Sequence, residues 1–130
     1  MVADASTRVL YVEDNIANFT LVQRLLEASN RFSVERAESA EDARETLERG
    51  PAPGLILLDH ELPGMLGIEF AREIKSQPKL ARVPLILITA SVMKQERAQA
   101  MDAGVDRFIE KPFDIVMLRN LVEELTAPAG

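Results

Sequence analysis

Leu55-Ile56-Leu57-Leu58-Asp59 is the stretch that decides the architecture. Four consecutive apolar residues leave no solvent-facing position, as in a strand covered on both faces. Gly50-Pro51-Ala52-Pro53-Gly54 breaks the chain before it, and Pro63-Gly64 and Gly67 mark a loop after it. Strands of this kind belong to parallel sheets sandwiched between helices. The run ends directly on a carboxylate. A charge at the end of a buried strand belongs at a sheet edge or in a site.

The same alternation extends in both directions. Toward the C-terminus, Ile68 to Ser76 reads as a helix with Ala71 and Ile74 inward. Pro84 introduces Leu85-Ile86-Leu87-Ile88, a second strand buried on both sides. Met93 to Ala103 reads as a helix closed by Gly104. Phe108-Ile109 forms a short strand, Lys111-Pro112-Phe113 turns the chain, and Asp114 caps a last helix with Ile115, Leu118, Leu121, Val122 and Leu125 inward. Toward the N-terminus, Ser39 opens a helix with Ala40, Ala43 and Leu47 inward, and Ser39 to Asp42 fits a capping-box variant. Phe32 and Val34 alternate with polar residues in a weak edge strand. Ile16, Phe19, Val22, Leu25, Leu26 and Ser29 fall at helical steps, and Val9 to Val12 is the first strand. The chain is therefore read as α/β, a (βα)5 unit with a doubly wound five-stranded parallel sheet and right-handed crossovers. Strand order 2-1-3-4-5 sets the ends of strands 1 and 3 side by side at the switch point, where open sheets bind ligands. Order 3-2-1-4-5 is the alternative.

The 130 residues fit one domain, 1–130, with 1–6 and 127–130 expected to fray. With 47% hydrophobic and 28% charged residues the composition is that of a soluble globular protein. The absence of cysteine excludes disulfides, thiolate zinc sites, iron–sulfur clusters and a cysteine nucleophile. A single histidine, His60, excludes any site needing two; its place in the loop after Asp59 is read as exposed. The net charge of −6 disfavours a nucleic-acid partner. The short polar N-terminus is no signal peptide, and no apolar run approaches the ~20 residues of a membrane span. A cytoplasmic location follows as the expectation.

The strand ends carry the chemistry. Strand 1 ends in Glu13-Asp14, strand 3 in Asp59, strand 4 in Thr89-Ala90 and strand 5 in Glu110-Lys111-Pro112. Three crowded carboxylates cannot all ionise without a retained proton or a bound cation. Oxygen-only donors suit Mg²⁺. Lys111 adds a point charge that can shield Asp59 or orient a phosphoryl oxygen, and Thr89 can hydrogen-bond the same group. An aspartate in that setting is a plausible nucleophile toward phosphorus. Taken singly, each residue has an ordinary alternative: Glu13-Asp14 as a solvated helix cap, Thr89 as a strand-end residue, Lys111 as a surface cation, Phe108 as core. Their conjunction at one end of one sheet is what argues for a site.

Val12-Glu13-Asp14-Asn15, Leu57 to Gly64, Ile88-Thr89-Ala90 and Phe108 to Phe113, in that order, resemble the receiver domain of two-component response regulators over essentially the full chain. The likeness is to single-domain receivers and to receivers of hybrid kinases. It implies a flavodoxin-like fold in which Asp59 accepts a phosphoryl group from a histidine kinase or phosphotransfer protein. Asp14, Asp59 and the backbone carbonyl of Glu61 would hold Mg²⁺, with Glu13 acting directly or through water. Lys111 would contact the phosphoryl group, Thr89 and Phe108 would switch, and the Lys111–Pro112 bond would be cis. Glu13 stands where many members have aspartate, and its extra methylene makes contact through water as reasonable as direct ligation. Ser91 and Glu61 occupy positions that tune phosphoryl lifetime in the family.

The function so implied is a phosphorylation-operated switch, not an enzyme, that changes the face of helix 4, strand 5 and helix 5 to bind a downstream protein. Val92, Val116 and Met117 supply apolar atoms to that face. The protein would be a monomer or weak dimer, with no membrane partner. Two rival readings use the same residues: a Mg²⁺-dependent phosphatase-like enzyme, or a docking module that is never phosphorylated. Asp59-His60-Glu61 follows the third strand rather than the first, which counts against haloacid dehalogenase-type phosphatases, and Glu13 lacks the glycine that follows it in Toprim-type nucleases. No G-x-x-x-x-G-K or G-x-G-x-x-G run is present.

Overall fold

In the computed structural model, which describes residues 6–90 and 94–127, five parallel strands form one twisted sheet. The elements are β1 (Thr7–Val12), α1 (Ile16–Glu27), β2 (Phe32–Ala37), α2 (Ala40–Arg49), β3 (Leu55–Asp59), β4 (Glu61–Leu62), β5 (Met65–Leu66), α3 (Gly67–Lys75), β6 (Leu85–Thr89), α4 (Lys94–Asp102), β7 (Arg107–Glu110) and α5 (Ile115–Thr126). The sheet runs β2-β1-β3-β6-β7. With the two short strands β4 and β5 set aside, this is the expected order 2-1-3-4-5. The positions Ser91, Val92 and Met93 lie outside the described residues, as do 1–5 and 128–130 of the ends 1–6 and 127–130 expected to fray.

Period-two alternation sorts each strand between two cores. Leu10, Val12, Ile56, Leu58, Leu85 and Leu87 face α2, α3 and α4. Val9, Tyr11, Leu55, Leu57, Ile86 and Ile88 face α1 and α5, meeting Phe19, Val22, Leu26, Leu118 and Val122. All five residues of β3 and all five of β6 are buried, which is why their sequences show no alternation. The edge strand β2 buries only Phe32, Val34 and Ala37.

Local signals fix the helix ends. Asn15 and Asp114 each accept from an amide two or three residues on, and Gly104, at φ +95°, closes α4 with Val105 N–H donating to Ala100 O. At α2, Ser39 accepts from Asp42 N–H, but Asp42 reaches back to Glu38 N–H rather than to Ser39. Two expectations are corrected. Ile16, counted with the inward stripe of α1, is the first residue of the helix and is 58% exposed. The loop after Asp59 is a small hairpin: β4 pairs antiparallel with β5 across Pro63-Gly64, where proline sets one corner and Gly64 supplies φ +77° at the other.

Candidate functional site

The reversal of winding at β1 leaves the C-terminal ends of β1 and β3 adjacent, and their last residues meet there. Carboxylate oxygens of Glu13, Asp14 and Asp59 all lie within 4.8 Å of one another. Glu13 and Asp59 are 1% and 3% exposed, while Asp14 faces solvent. Lys111 Nζ stands 3.3 and 3.2 Å from the two Asp59 oxygens. Asp59 Oδ1 also accepts from Glu61 N–H at 3.0 Å, so the loop folds back onto its own carboxylate.

Glu13 is held from two sides. Tyr11 O–H donates to Oε1 at 3.0 Å and Asn15 N–H to Oε2 at 3.1 Å. Burial, reinforced by the charge of Asp59, raises the Glu13 pKa above 4.5, while these two donors pull it back. Burial and the neighbouring Glu13 charge push the Tyr11 phenol far up, so it stays a donor. From β2, Arg36 donates Nε–H to Glu13 O at 3.1 Å and Nη2–H to Asp14 O at 2.9 Å. One guanidinium thus fixes the backbone of both acids.

Thr89 is buried at the end of β6, and its carbonyl accepts from Lys111 N–H at 2.7 Å. The Lys111–Pro112 peptide is cis. Phe108 is half-buried beside Thr89, and the two line one narrow cleft with Arg97, whose guanidinium carbon lies 5.0 Å from the Phe108 ring centre. His60, read from sequence as exposed, is half-buried; its Nδ1 accepts from Ile68 N–H at 3.3 Å.

The structure therefore gathers Glu13, Asp14, Asp59 and Lys111 into one cluster, brings Glu61 to it through backbone, sets Thr89 and Phe108 along its β6 and β7 flank, and puts Pro112 with Lys111 in the groove that Tyr11 lines. Tyr11 and Arg36 are not singled out by the sequence reading, and His60 is read there only as an exposed loop residue. Tyr11 had a signal: residues two apart on a strand share a face, so its ring lies on the side of Glu13. Arg36 had none, since its partners are set by the lateral β1–β2 register.

Three acids around one lysine leave negative charge in excess, two of the acids being buried. All the side-chain donors are hard oxygens. That donor set fits Mg²⁺ and no soft metal.

The sequence profile of the response regulator receiver domain matches residues 9–123. This chain belongs to that family. The receiver is 37% identical over 123 residues to the response regulator PleD of Caulobacter vibrioides, covering 93% of this chain and 26% of PleD. It is 35% identical to the polar-differentiation response regulator DivK of Brucella suis over 82% of this chain and 85% of DivK. It spans 45% of the phosphate regulon regulator PhoB of Escherichia coli at 36% identity, so it covers only part of some relatives. Among solved structures, the receiver domain of sensor histidine kinase PA1611 from Pseudomonas aeruginosa, which holds a magnesium ion in its active-site cleft, superposes with TM-score 0.83 at 29% identity, covering 95% of this chain and all (100%) of that one. The receiver domain of a signal transduction histidine kinase from Syntrophus aciditrophicus gives TM-score 0.85 at 29% identity, covering 94% of this chain and 91% of that one. Membership makes the chain a module of two-component signalling, a family of phosphorylation-dependent switches rather than of turnover enzymes. Among the described residues, no helix is long and apolar enough to cross a membrane.

Proposed function

We propose that residues 1–130 act as one receiver unit in which Asp59 is the phosphoacceptor. The observation that carries this reading is the buried Asp59 carboxylate, salt-bridged to Lys111 and crowded by Glu13 and Asp14. A carboxylate oxygen of Asp59 attacks phosphorus, a P–O bond forms, and the P–N bond to the donor imidazole breaks with its electron pair leaving on the imidazole nitrogen. Asp14, Asp59 and the Glu61 carbonyl would hold Mg²⁺, with Glu13, whose two oxygens each accept one protein hydrogen bond, acting directly or through water. When bound, the cation supplies charge neutralisation and polarisation of the phosphoryl oxygens. Lys111 orients the incoming group with its ammonium, and Thr89, at the end of β6, would donate its hydroxyl to it.

The phosphodonor is a histidine kinase or phosphotransfer protein. A largely apolar groove of about 390 Å³, lined by residues including Leu21, Val22, Phe113 and Ile115, opens beside Lys111 and suits its approach. The output is a change in the α4–β7–α5 face, transmitted by Thr89 and Phe108, toward a protein effector. That face carries Met101, Val116 and Met117 at 61%, 45% and 54% exposure. The reading entails a cytoplasmic location and a monomer or weak dimer.

Incubation with acetyl phosphate and Mg²⁺ tests the reading by intact mass. One added phosphoryl group is expected, absent in Asp59→Asn and absent with chelator. No labelling by small donors or by phosphohistidine proteins, or steady turnover of a phosphate ester, overturns it.

A further inference from the structure

The N-terminus of α3 lacks an ordinary cap. Leu66 stands at the N-cap position and has no side-chain acceptor. The amides of the first turn still need partners. His60 serves two of them: its backbone carbonyl accepts from Gly67 N–H at 2.7 Å, and its Nδ1 accepts from Ile68 N–H at 3.3 Å. Its own N–H donates to Ile88 O at 2.8 Å. One residue thus joins β6 to α3, and it sits between Asp59 and Glu61.

We infer that His60 is a positioning residue, whose imidazole pins the Asp59–Glu61 segment to α3 and so fixes the geometry of the acidic cluster. The inference rests on the proposed Mg²⁺ site. Its logic is geometric. Glu61 N–H is bonded to Asp59 Oδ1, so a shift in the loop moves both the carboxylate and the carbonyl next to it. The hairpin's return strand is held to α3 at Leu66, whose N–H donates to Glu69 Oε1 at 3.0 Å. Its outgoing strand follows directly on His60, whose ring supplies the side-chain tie from that end. For Nδ1 to accept from Ile68 N–H the ring must carry its proton on Nε2.

Three proteins test this: the wild type, His60→Phe and His60→Asn. Phenylalanine keeps a ring and removes the acceptor. Asparagine places Oδ1 where Nδ1 stood. Mg²⁺ affinity is read from the amide shifts of residues 59–61, and the Ile68 amide is followed by hydrogen exchange. In His60→Phe, Mg²⁺ affinity is expected to fall, and Ile68 exchange to rise, about fivefold, the ratio matching one net hydrogen bond. Asparagine restores both toward wild type. As the only histidine in the chain, His60 gives an unambiguous imidazole ¹⁵N spectrum, expected to show the proton on Nε2. Wild-type affinity in His60→Phe, failure of asparagine to restore it, or a proton on Nδ1 overturns the inference. Acetyl phosphate labelling of the wild type is scored separately: its failure removes the phosphoacceptor reading, while the Mg²⁺ titration and the Ile68 amide still decide the role of His60.

Discussion

Both oxygens of Glu13 are engaged by protein donors, yet its charge is buried next to that of Asp59. Burial and Asp59 raise its pKa in the folded state above 4.5. A carboxyl shifted this way binds its proton more tightly when folded. Its contribution to stability is complete below 4.5 and is lost as pH rises through the folded value. Glu13→Gln removes that titration and keeps the shape. In metal-free protein, the loss of stability as pH rises above 4.5 is expected to be shallower in Glu13→Gln than in wild type. Urea midpoints across that range measure it. An equal slope in the two proteins would mean that Glu13 ionises as easily folded as unfolded. The Tyr11 hydroxyl works in the opposite sense, stabilising the charged form, so the residue is held between two demands that only its surroundings reconcile.

At the scale of elements, the approach of α3 to β3 is set by an absent side chain. A Cβ at Gly67 would stand 2.6 Å from His60 Cα, 2.7 Å from Asp59 O and 3.0 Å from Leu87 Cδ1. Two of these three obstacles are backbone and cannot swing aside, so the helix itself would have to move. Gly50, at the end of α2, is different: its nearest obstacle is Thr46 O at 3.8 Å, an ordinary contact. Gly67→Ala is therefore expected to cost about 1–3 kcal/mol, as overpacking does, and Gly50→Ala to stay within about 0.5 kcal/mol. Chemical denaturation of the two variants provides the comparison. Because the displaced backbone is that of Asp59 and His60, Gly67→Ala is also expected to weaken phosphorylation, whereas Gly50→Ala leaves it intact. Similar costs at the two positions would show that the α3 junction is soft.

Across the whole molecule, the sheet and its site were legible for one reason. Buried parallel strands are apolar until they reach the sheet's end, so the first polar residue after each run marks the edge where a site can form. Asp59 after Leu55–Leu58 and Thr89 after Leu85–Ile88 both follow that rule. What stayed hidden depends on neighbours distant in sequence. Arg36 reaches Glu13 and Asp14 only because β1 and β2 pair in one register, and the His60 cap exists only because Leu66 cannot provide one. The gathered charge has a consequence for the entire fold. The net charge is −6, and three acids converge around one lysine at a single sheet end, so the native state holds repulsion that the unfolded chain disperses. A cation that binds only the folded form stabilises it by mass action, about 2.7 kcal/mol at a hundredfold excess over its dissociation constant. Mg²⁺ is therefore expected to raise the thermal midpoint saturably, and a chelator to return it. NaCl at matched ionic strength only screens, and is expected to give a smaller rise. Asp59→Asn removes one of the crowded charges. It is expected to melt higher than wild type without metal and to gain less from Mg²⁺. If Mg²⁺ and NaCl raised the midpoint equally, or if Asp59→Asn gained as much as wild type, the acids would not act as one cation site, because a shared site must lose affinity when one of its three charges is neutralised.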